Sequence, residues 1–348
     1  MLLRKEMADL ETIWQRYRTE LEAEVKFAVG EAYLPMYDMM RYHLGWIDAQ
    51  GNPQTATIGK RLRPVLCLLA CQAVGGDWHQ ALPAAAAVEL VHNFSLIHDD
   101  IQDKSPARRG RATVWRIWGQ SQAINVGDGM HALALSSLLR IEDAGIPHQK
   151  VVRAARILGE ASLKLCEGQY LDISYENRLD IGINDYLEMI GGKTAALFRC
   201  SLEIGACLGT DDESLLARLK MFGHYLGMTF QVHDDVLSLW GDEKVTGKSN
   251  TSDIRMKKKT LPIVYALEKT KGKDRELLWS IYKKKTVGPA DIENVLHILN
   301  RLDAQGYVQG MSDKHYRQAI SELNAVNIPS SAKEDLRTIA AFLLKRQY

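Results

Sequence analysis

Apolar side chains recur every three or four positions from the first turns of this chain: Leu10, Ile13, Trp14, Tyr17 and Leu21 form one stripe, and similar stripes continue to the C-terminus. That period keeps side chains on one face of an α-helix. No sustained two-residue alternation, the mark of a half-buried strand, interrupts it. Between Pro147 and Pro262 there is no proline, and apolar runs at Val151 to Ile173 and Thr194 to Leu208 predict long helices there. Glycine, proline and polar clusters mark breaks near Gly51–Pro53, Lys104–Gly110, Gly145–Pro147, Gly209–Asp212, Gly241–Ser252 and Val287–Pro289. None has the length or bias of a flexible linker, and no repeat of fixed period is present. The expectation is an all-α protein with one domain over residues 1–348, in which 271–348 form a peripheral helical part.

Composition narrows the partners. A chain of 348 residues with 46% hydrophobic content can bury a large core. Its 44 Lys and Arg balance 43 Asp and Glu for a net charge of +1, so bulk electrostatics argues against nucleic acid or an anionic membrane as partner. Cys67, Cys71, Cys166, Cys200 and Cys207 lack zinc-ribbon or redox pairing and read as buried reduced thiols. The N-terminal MLLRKEMADLETIW is charged within its first six residues and has no signal-peptide core. No run approaches the roughly 18 apolar residues of a membrane span. A soluble, cytoplasmic protein is expected.

Two acidic stripes carry the candidate chemistry. In HNFSLIHDDIQD, His92, Ser95, Asp99 and Asp103 fall at intervals of three, four and four; in QVHDDVLSLWGD, Gln231, Asp234, Ser238 and Asp242 repeat that spacing. Each set lies on one helical face, and two such helices facing each other would set carboxylates on opposite walls of a cavity. Charged helix faces are usually solvated surface. These acids, however, follow Phe94, Leu96 and Ile97 in one case and Met228, Phe230 and Val232 in the other, and acids beside apolar faces are costly without water or a cation. Hard carboxylate oxygens without paired thiols suit Mg²⁺, which one or two carboxylates hold together with substrate phosphates. His98 and His233 point about 100° away from the following aspartate and read as packing residues rather than zinc ligands.

Phosphate needs cations, and short basic clusters supply them. GKRLRP puts Lys60 and Arg63 at a helix start, where orphan N–H groups also favour anions. Arg108 and Arg109 follow the first acidic helix, and GGKT offers Lys193 and Thr194 at what reads as another helix opening, without the spacing of a nucleotide P-loop. Lys248, Arg255, Lys257, Lys258 and Lys259 lie in a segment that could close over phosphates. Each cluster alone would pass for ordinary surface.

Taken together the residues resemble the trans-isoprenyl diphosphate synthases. The resemblance runs from about Ile58 to Pro262 through GKRLRP, HNFSLIHDDIQD with RRG, INVGD, GQYLD, GGKT, FQVHDD, and GKSNTSD followed by KKKTLP, in the family's order. It implies a bundle of long antiparallel helices around a deep central cavity, a homodimer, and a Mg²⁺-dependent prenyltransferase with two or three ions per site. The substrates implied are isopentenyl diphosphate and an allylic diphosphate (dimethylallyl, geranyl or farnesyl). By the same resemblance Asp99, Asp100 and Asp103 are the first metal motif, and Asp234 and Asp235 the second. Arg108, Lys193, Thr194, Gln231, Lys248 and Lys258 contact the allylic diphosphate, with Gln169 and Asp172 in support. Gly59, Lys60, Arg63, His92 and Arg109 hold isopentenyl diphosphate. The catalytic set is Asp99, Asp100, Asp103, Lys193, Asp234 and Lys258.

The second motif departs from the family's DDxxD, because Ser238 stands where the third aspartate belongs. With Asp234 and Asp242 it also resembles the metal motif of class I terpene cyclases. A cyclase has no second substrate and no use for the Lys60, Arg63, His92 and Arg109 set. A non-catalytic subunit of a heteromeric synthase is a third reading, which the intact DDIQD disfavours. Phe94 and Ser95, five and four residues before Asp99, resemble the chain-length positions of geranylgeranyl-type members, so C20 is the expected product and C15 the next. Replacing Phe94 with alanine is expected to lengthen the products when they are sized by chromatography; an unchanged distribution would deny Phe94 a place on the floor of the site.

Overall fold

The computed structural model describes residues 2–54, 61–242 and 250–346. Helices α1 (Leu2–Val29), α2 (Pro35–His43), α3 (Leu62–Ala73) and α4 (Leu82–Gln102) lead to a hairpin of β1 (Ala107–Arg108) and β2 (Arg111–Ala112). There follow α5 (Val114–Trp118), α6 (Gln120–Leu139), α7 (His148–Tyr175), α8 (Ile183–Ile190), a π-helical turn (Gly191–Ala195), α9 (Ala196–Gly209) and α10 (Glu213–Trp240). After residue 249 come α11 (Ser252–Arg255), α12 (Leu261–Lys269), α13 (Gly272–Lys283), α14 (Pro289–Arg301), α15 (Ala304–Ala325) and α16 (Ser330–Lys345). The all-α expectation holds, and the predicted breaks near Gly51–Pro53, Lys104–Gly110, Gly145–Pro147, Gly209–Asp212 and Val287–Pro289 fall between helices, whereas 243–249, within the break expected at Gly241–Ser252, lie outside the described residues. Among the described residues no helix is long and apolar enough to cross a membrane.

The described chain divides into two compact units built from interleaved segments. Met1–Glu160, Cys200–Leu219 and Asn327–Leu336 form the first; Ala161–Arg199, Lys220–Val326 and Arg337–Tyr348 form the second.

In the first unit the predicted stripe of α1 is buried from Leu10 to Val29, with Tyr17 and Val25 fully enclosed. Helix α4 is enclosed on nearly every side, and its Ala84–Ala87 run has no exposed surface. Polar groups on such a helix require partners. Buried Glu89 pairs with Arg61 at 2.9 Å and accepts Asn93 Nδ2 at 2.8 Å. In the hairpin, Arg109 (φ 51°) and Gly110 (φ 75°) both occupy the left-handed region, the requirement of a two-residue I′ turn. Thr113 and Trp115 donate to Ser105 O at 2.8 Å and pin the hairpin to the end of α4.

In the second unit Met228, Val232 and Val236 of α10 pack with Tyr186, Met189 and Ile190 of α8 and with Leu261 and Val264 of α12. Another cluster joins Leu278, Ile281, Val295 and Ile298 to Leu239, Ile254 and Ile263, so α13 and α14 share core with α10, α11 and α12.

Two local expectations are corrected. GGKT is not a helix opening: Gly191 to Ala195 form a π turn between α8 and α9, so Lys193 gains nothing from orphan N–H groups. π turns of this kind are frequent at functional sites. Of the cysteines, all free thiols, four are buried but Cys166 is exposed.

Helices α3 and α9 meet backbone to backbone, since a Cβ at Gly205 would lie 2.0 Å from Cys67 O. Gly205→Ala is therefore expected to cost about 1–3 kcal/mol through overpacking, read as a lower urea midpoint and Tm; unchanged unfolding would mean that the two helices separate freely.

Candidate functional site

The first acidic motif ends α4. Neighbouring residues on a helix are about 100° apart, whereas those four apart share a face, and the motif divides accordingly. Asp100 is 2% exposed. Arg108 Nε reaches both of its oxygens at 3.0 Å and Nη2 approaches Oδ1 at 2.9 Å. Burial raises the Asp100 pKa, and the Arg108 guanidinium opposes that rise. Asp99 and Asp103, one turn apart, retain partial exposure.

Beside this motif the same unit gathers cations and two histidines. Arg63 Nη1 lies 3.4 Å from His92 Nε2. Burial, reinforced by Arg63, Arg109 and Arg108, holds His92 well below its ordinary pKa, so the imidazole is neutral at pH 7. His43 is lowered to about 3, by burial first and then by Arg108 and Arg109. Tyr42, His43, Asp100, Arg108, Arg109 and Arg111 line a narrow cleft of about 30 Å³. Arg111 donates to Tyr42 O and Ile47 O, both at 2.9 Å, and stacks on the Tyr42 ring. Gly59, Lys60 and Lys248, expected as diphosphate contacts, lie outside the described residues.

Phe94 is nearly buried, with its ring edge against His131 at 4.7 Å and His98 at 5.8 Å. Ser95 turns its hydroxyl back to His92 O at 2.8 Å. His98 meets Ile124 O at 3.3 Å, so it packs between α4 and α6 as expected.

In the second unit a cavity of about 320 Å³ is lined by Asp172, Lys193, Gln231, Asp234, Asp235 and Lys258, among others. Glycines let α7 approach the π turn that carries Lys193. A Cβ on Gly168 would stand 2.0 Å from Lys193 N, and one on Gly192 would stand 2.7 Å from Lys164 O. This close approach brings Lys193 Nζ to 2.5 Å from Asp172, one turn beyond Gly168.

Asp235 points inward. Tyr186 Oη and Leu261 N both donate to its Oδ2 at 2.6 Å, and Gln231 Nε2 approaches Oδ1 at 3.3 Å. Gln231 in turn accepts from Thr194 Oγ1 at 2.8 Å, so Thr194, Gln231, Asp235 and Tyr186 form one hydrogen-bonded chain. Burial raises Asp235 to about 7, against the donors that favour its charged form.

Asp234, next on the helix, has a half-exposed side chain, and Arg346 Nη2 reaches its Oδ1 at 2.8 Å. Arg346 lies on the Phe230 ring and donates to Phe230 O at 3.1 Å. His233 Nε2 meets Arg346 O at 2.9 Å, again a packing role. Ser238 donates to Asp235 O at 3.0 Å, a bond within its own helix. The lysine run divides too: Lys258 is exposed and lines the cavity, whereas Lys259 is buried with Nζ 2.6 Å from Glu176 O. Burial, then Lys257, lowers Lys259 to about 8.

Sequence reasoning missed His43, Arg111, Tyr186 and Arg346. Only Arg111, adjoining RRG, had a nearby signal; the others depend on contacts between distant segments. Among the described residues no cluster of three or more His, Cys, Asp or Glu is gathered for a metal. The accessible donors are the carboxylates of Asp99, Asp103 and Asp234, hard oxygens of the type that holds Mg²⁺ jointly with substrate phosphate.

The polyprenyl synthetase family model matches residues 46–299. The chain is 36% identical over 315 residues to a (2E,6E)-farnesyl diphosphate synthase of Mycobacterium tuberculosis, covering 90% of this chain and 86% of that one. It is also 36% identical over 342 residues to a geranylgeranyl diphosphate synthase of the same organism, covering 98% and 95%. Its structure is similar to a polyprenyl synthetase from Streptomyces coelicolor A3(2), with TM-score 0.88, 37% identity and coverage of 96% and 99%.

The raised pKa of Asp235 carries a signed expectation. The folded state holds this proton more tightly than the unfolded chain, so the contribution to stability is complete below the ordinary carboxylate range and is lost as pH rises through about 7. Asp235→Asn is expected to lose less of its urea midpoint than the parent between about pH 5 and about pH 8; parallel losses in both proteins would show that Asp235 does not titrate there.

Proposed function

Because this chain belongs to the polyprenyl synthetase family, we propose that it is a trans-prenyltransferase that condenses isopentenyl diphosphate with an allylic diphosphate, with geranylgeranyl diphosphate (C20) as main product and farnesyl diphosphate (C15) next. The observation that carries the reading is the second unit's cavity, where Lys193, Lys258 and Asp234 share one lining with the buried Asp235 network. Relatives named farnesyl and geranylgeranyl diphosphate synthases support the two product lengths.

In this reading Asp99, Asp103 and Asp234 are the carboxylates that hold Mg²⁺, while Asp100 and Asp235 fix the helix ends that present them. Bound Mg²⁺ neutralises charge on the allylic diphosphate as it leaves. Lys193, Lys258 and Thr194 donate to the same phosphate oxygens, a stabilisation that grows as the C–O bond breaks. Arg63, His92 and Arg109, with Gly59 and Lys60, hold the second diphosphate, whose terminal double bond attacks the allylic carbon. The π electrons of that bond form the new C–C bond. The resulting cation then loses a proton to the departed diphosphate, which leaves a trans double bond in the product. Apolar walls exclude water that would otherwise trap the cation.

The partner we propose is a second copy of the chain. Ile124, Leu135 and Leu139 lie exposed along one face of α6, with 46%, 49% and 47% of their surfaces accessible, and a large apolar stripe favours self-association. Four buried reduced thiols agree with a cytosolic setting.

With Mg²⁺ and both substrates the purified chain is expected to form C20 with some C15, and Asp99→Asn or Asp234→Asn is expected to lower kcat by ~10²-fold or more. Diphosphate released without isopentenyl diphosphate would replace this reading with a cyclase. Activity that appears only when another polypeptide is added would replace it with a subunit role.

A further inference from the structure

On the second unit a separate cavity of about 490 Å³ is lined by Asn177, Arg178, Leu179 and Asp180, which follow α7, together with Lys257 and with Trp279, Tyr282 and Lys283 of α13. Three side chains here are cationic and one is a carboxylate, a balance of +2. Asp180 is already matched by Arg178, which reaches its two oxygens at 2.9 and 3.0 Å. Lys257 has a left-handed backbone (φ 57°), and its Nζ lies 3.0 Å from Lys284 O.

Two further polar groups lie behind the wall. The indole N–H of Trp279 and the hydroxyl of Tyr282 are buried without a hydrogen-bond partner in the protein, and Tyr282 as a whole is only 5% exposed. A buried donor without a partner is costly, and native proteins seldom leave two together. Three cations around flat apolar surface suit one kind of ligand: a multiply charged oxyanion, with or without an apolar substituent.

We propose that this cavity binds a diphosphate, its oxygens met by Arg178, Lys257 and Lys283 and any apolar chain laid along Leu179 and Trp279. The choice of diphosphate over other oxyanions rests on the prenyltransferase reading, because that reaction both consumes prenyl diphosphates and releases inorganic pyrophosphate. The site is distinct from the catalytic cavity but adjoins it in sequence. Lys257 lines one and Lys258 the other, while Lys259 places Nζ 5.0 Å from the centre of the Tyr282 ring.

The test reads binding without turnover, so its failure is independent of the proposed activity. The full chain, labelled with 5-fluorotryptophan and kept in EDTA to suppress Mg²⁺-dependent binding, carries seven tryptophans, and the Trp279 fluorine signal is identified by its loss in Trp279→Phe. Inorganic pyrophosphate and geranyl diphosphate are titrated in parallel. We expect a saturable shift of the Trp279 signal, with Kd weakened roughly tenfold or more in the Arg178→Gln/Lys283→Gln double variant. The other six signals report that the variant remains folded. A response to both ligands supports head-group recognition, and a response to geranyl diphosphate alone supports recognition that includes the apolar chain. A Trp279 signal that neither ligand moves, or that moves equally in the double variant, overturns the proposal.

Discussion

A carboxylate withdrawn from water must be met by donors, and two such carboxylates govern how this chain presents its chemistry. Asp100 is fastened by Arg108 and Asp235 by Tyr186 and Leu261 N. Each is the second residue of an Asp-Asp pair near the C-terminal end of a long helix. Because consecutive helical residues diverge by about 100°, burying the second aspartate leaves the first, Asp99 or Asp234, on the accessible side. One residue type in a doublet therefore performs two tasks, anchoring the helix and offering oxygen ligands.

The same constraint shapes the surroundings. Arg108 is supplied by a hairpin whose turn needs Gly110. Tyr186 and Leu261 come from helices that share a core with α10. Lys193 and Thr194 are carried on a π turn that can approach α7 only because Gly168 and Gly192 lack side chains. Each catalytic candidate thus depends on a close backbone contact or a special φ some distance from the atoms that would react.

Charge neutrality is global rather than local. A chain of net charge +1 separates its ions into sets, with arginines around His43 and His92, and lysines around Asp172 and Asp234. Both histidines are held neutral by burial and by the adjacent arginines. Neither therefore adds charge beside Arg63, Arg108 and Arg109.

Much of this was legible along the chain. Helical class follows from apolar spacing, because burying one face requires that period wherever the helix packs, and the buried stripe of α1 matches the predicted residues. The acidic doublets and basic clusters were visible as motifs, since their chemistry is written in residue type and interval. Tertiary structure alone decided which member of each doublet is anchored, that Lys258 is exposed while Lys259 is buried, and that GGKT lies within a helical run. It also brought Arg346 to Asp234, 112 positions away. These outcomes depend on which distant groups arrive to satisfy a buried charge, and no spacing within a single helix encodes the identity of a partner on another.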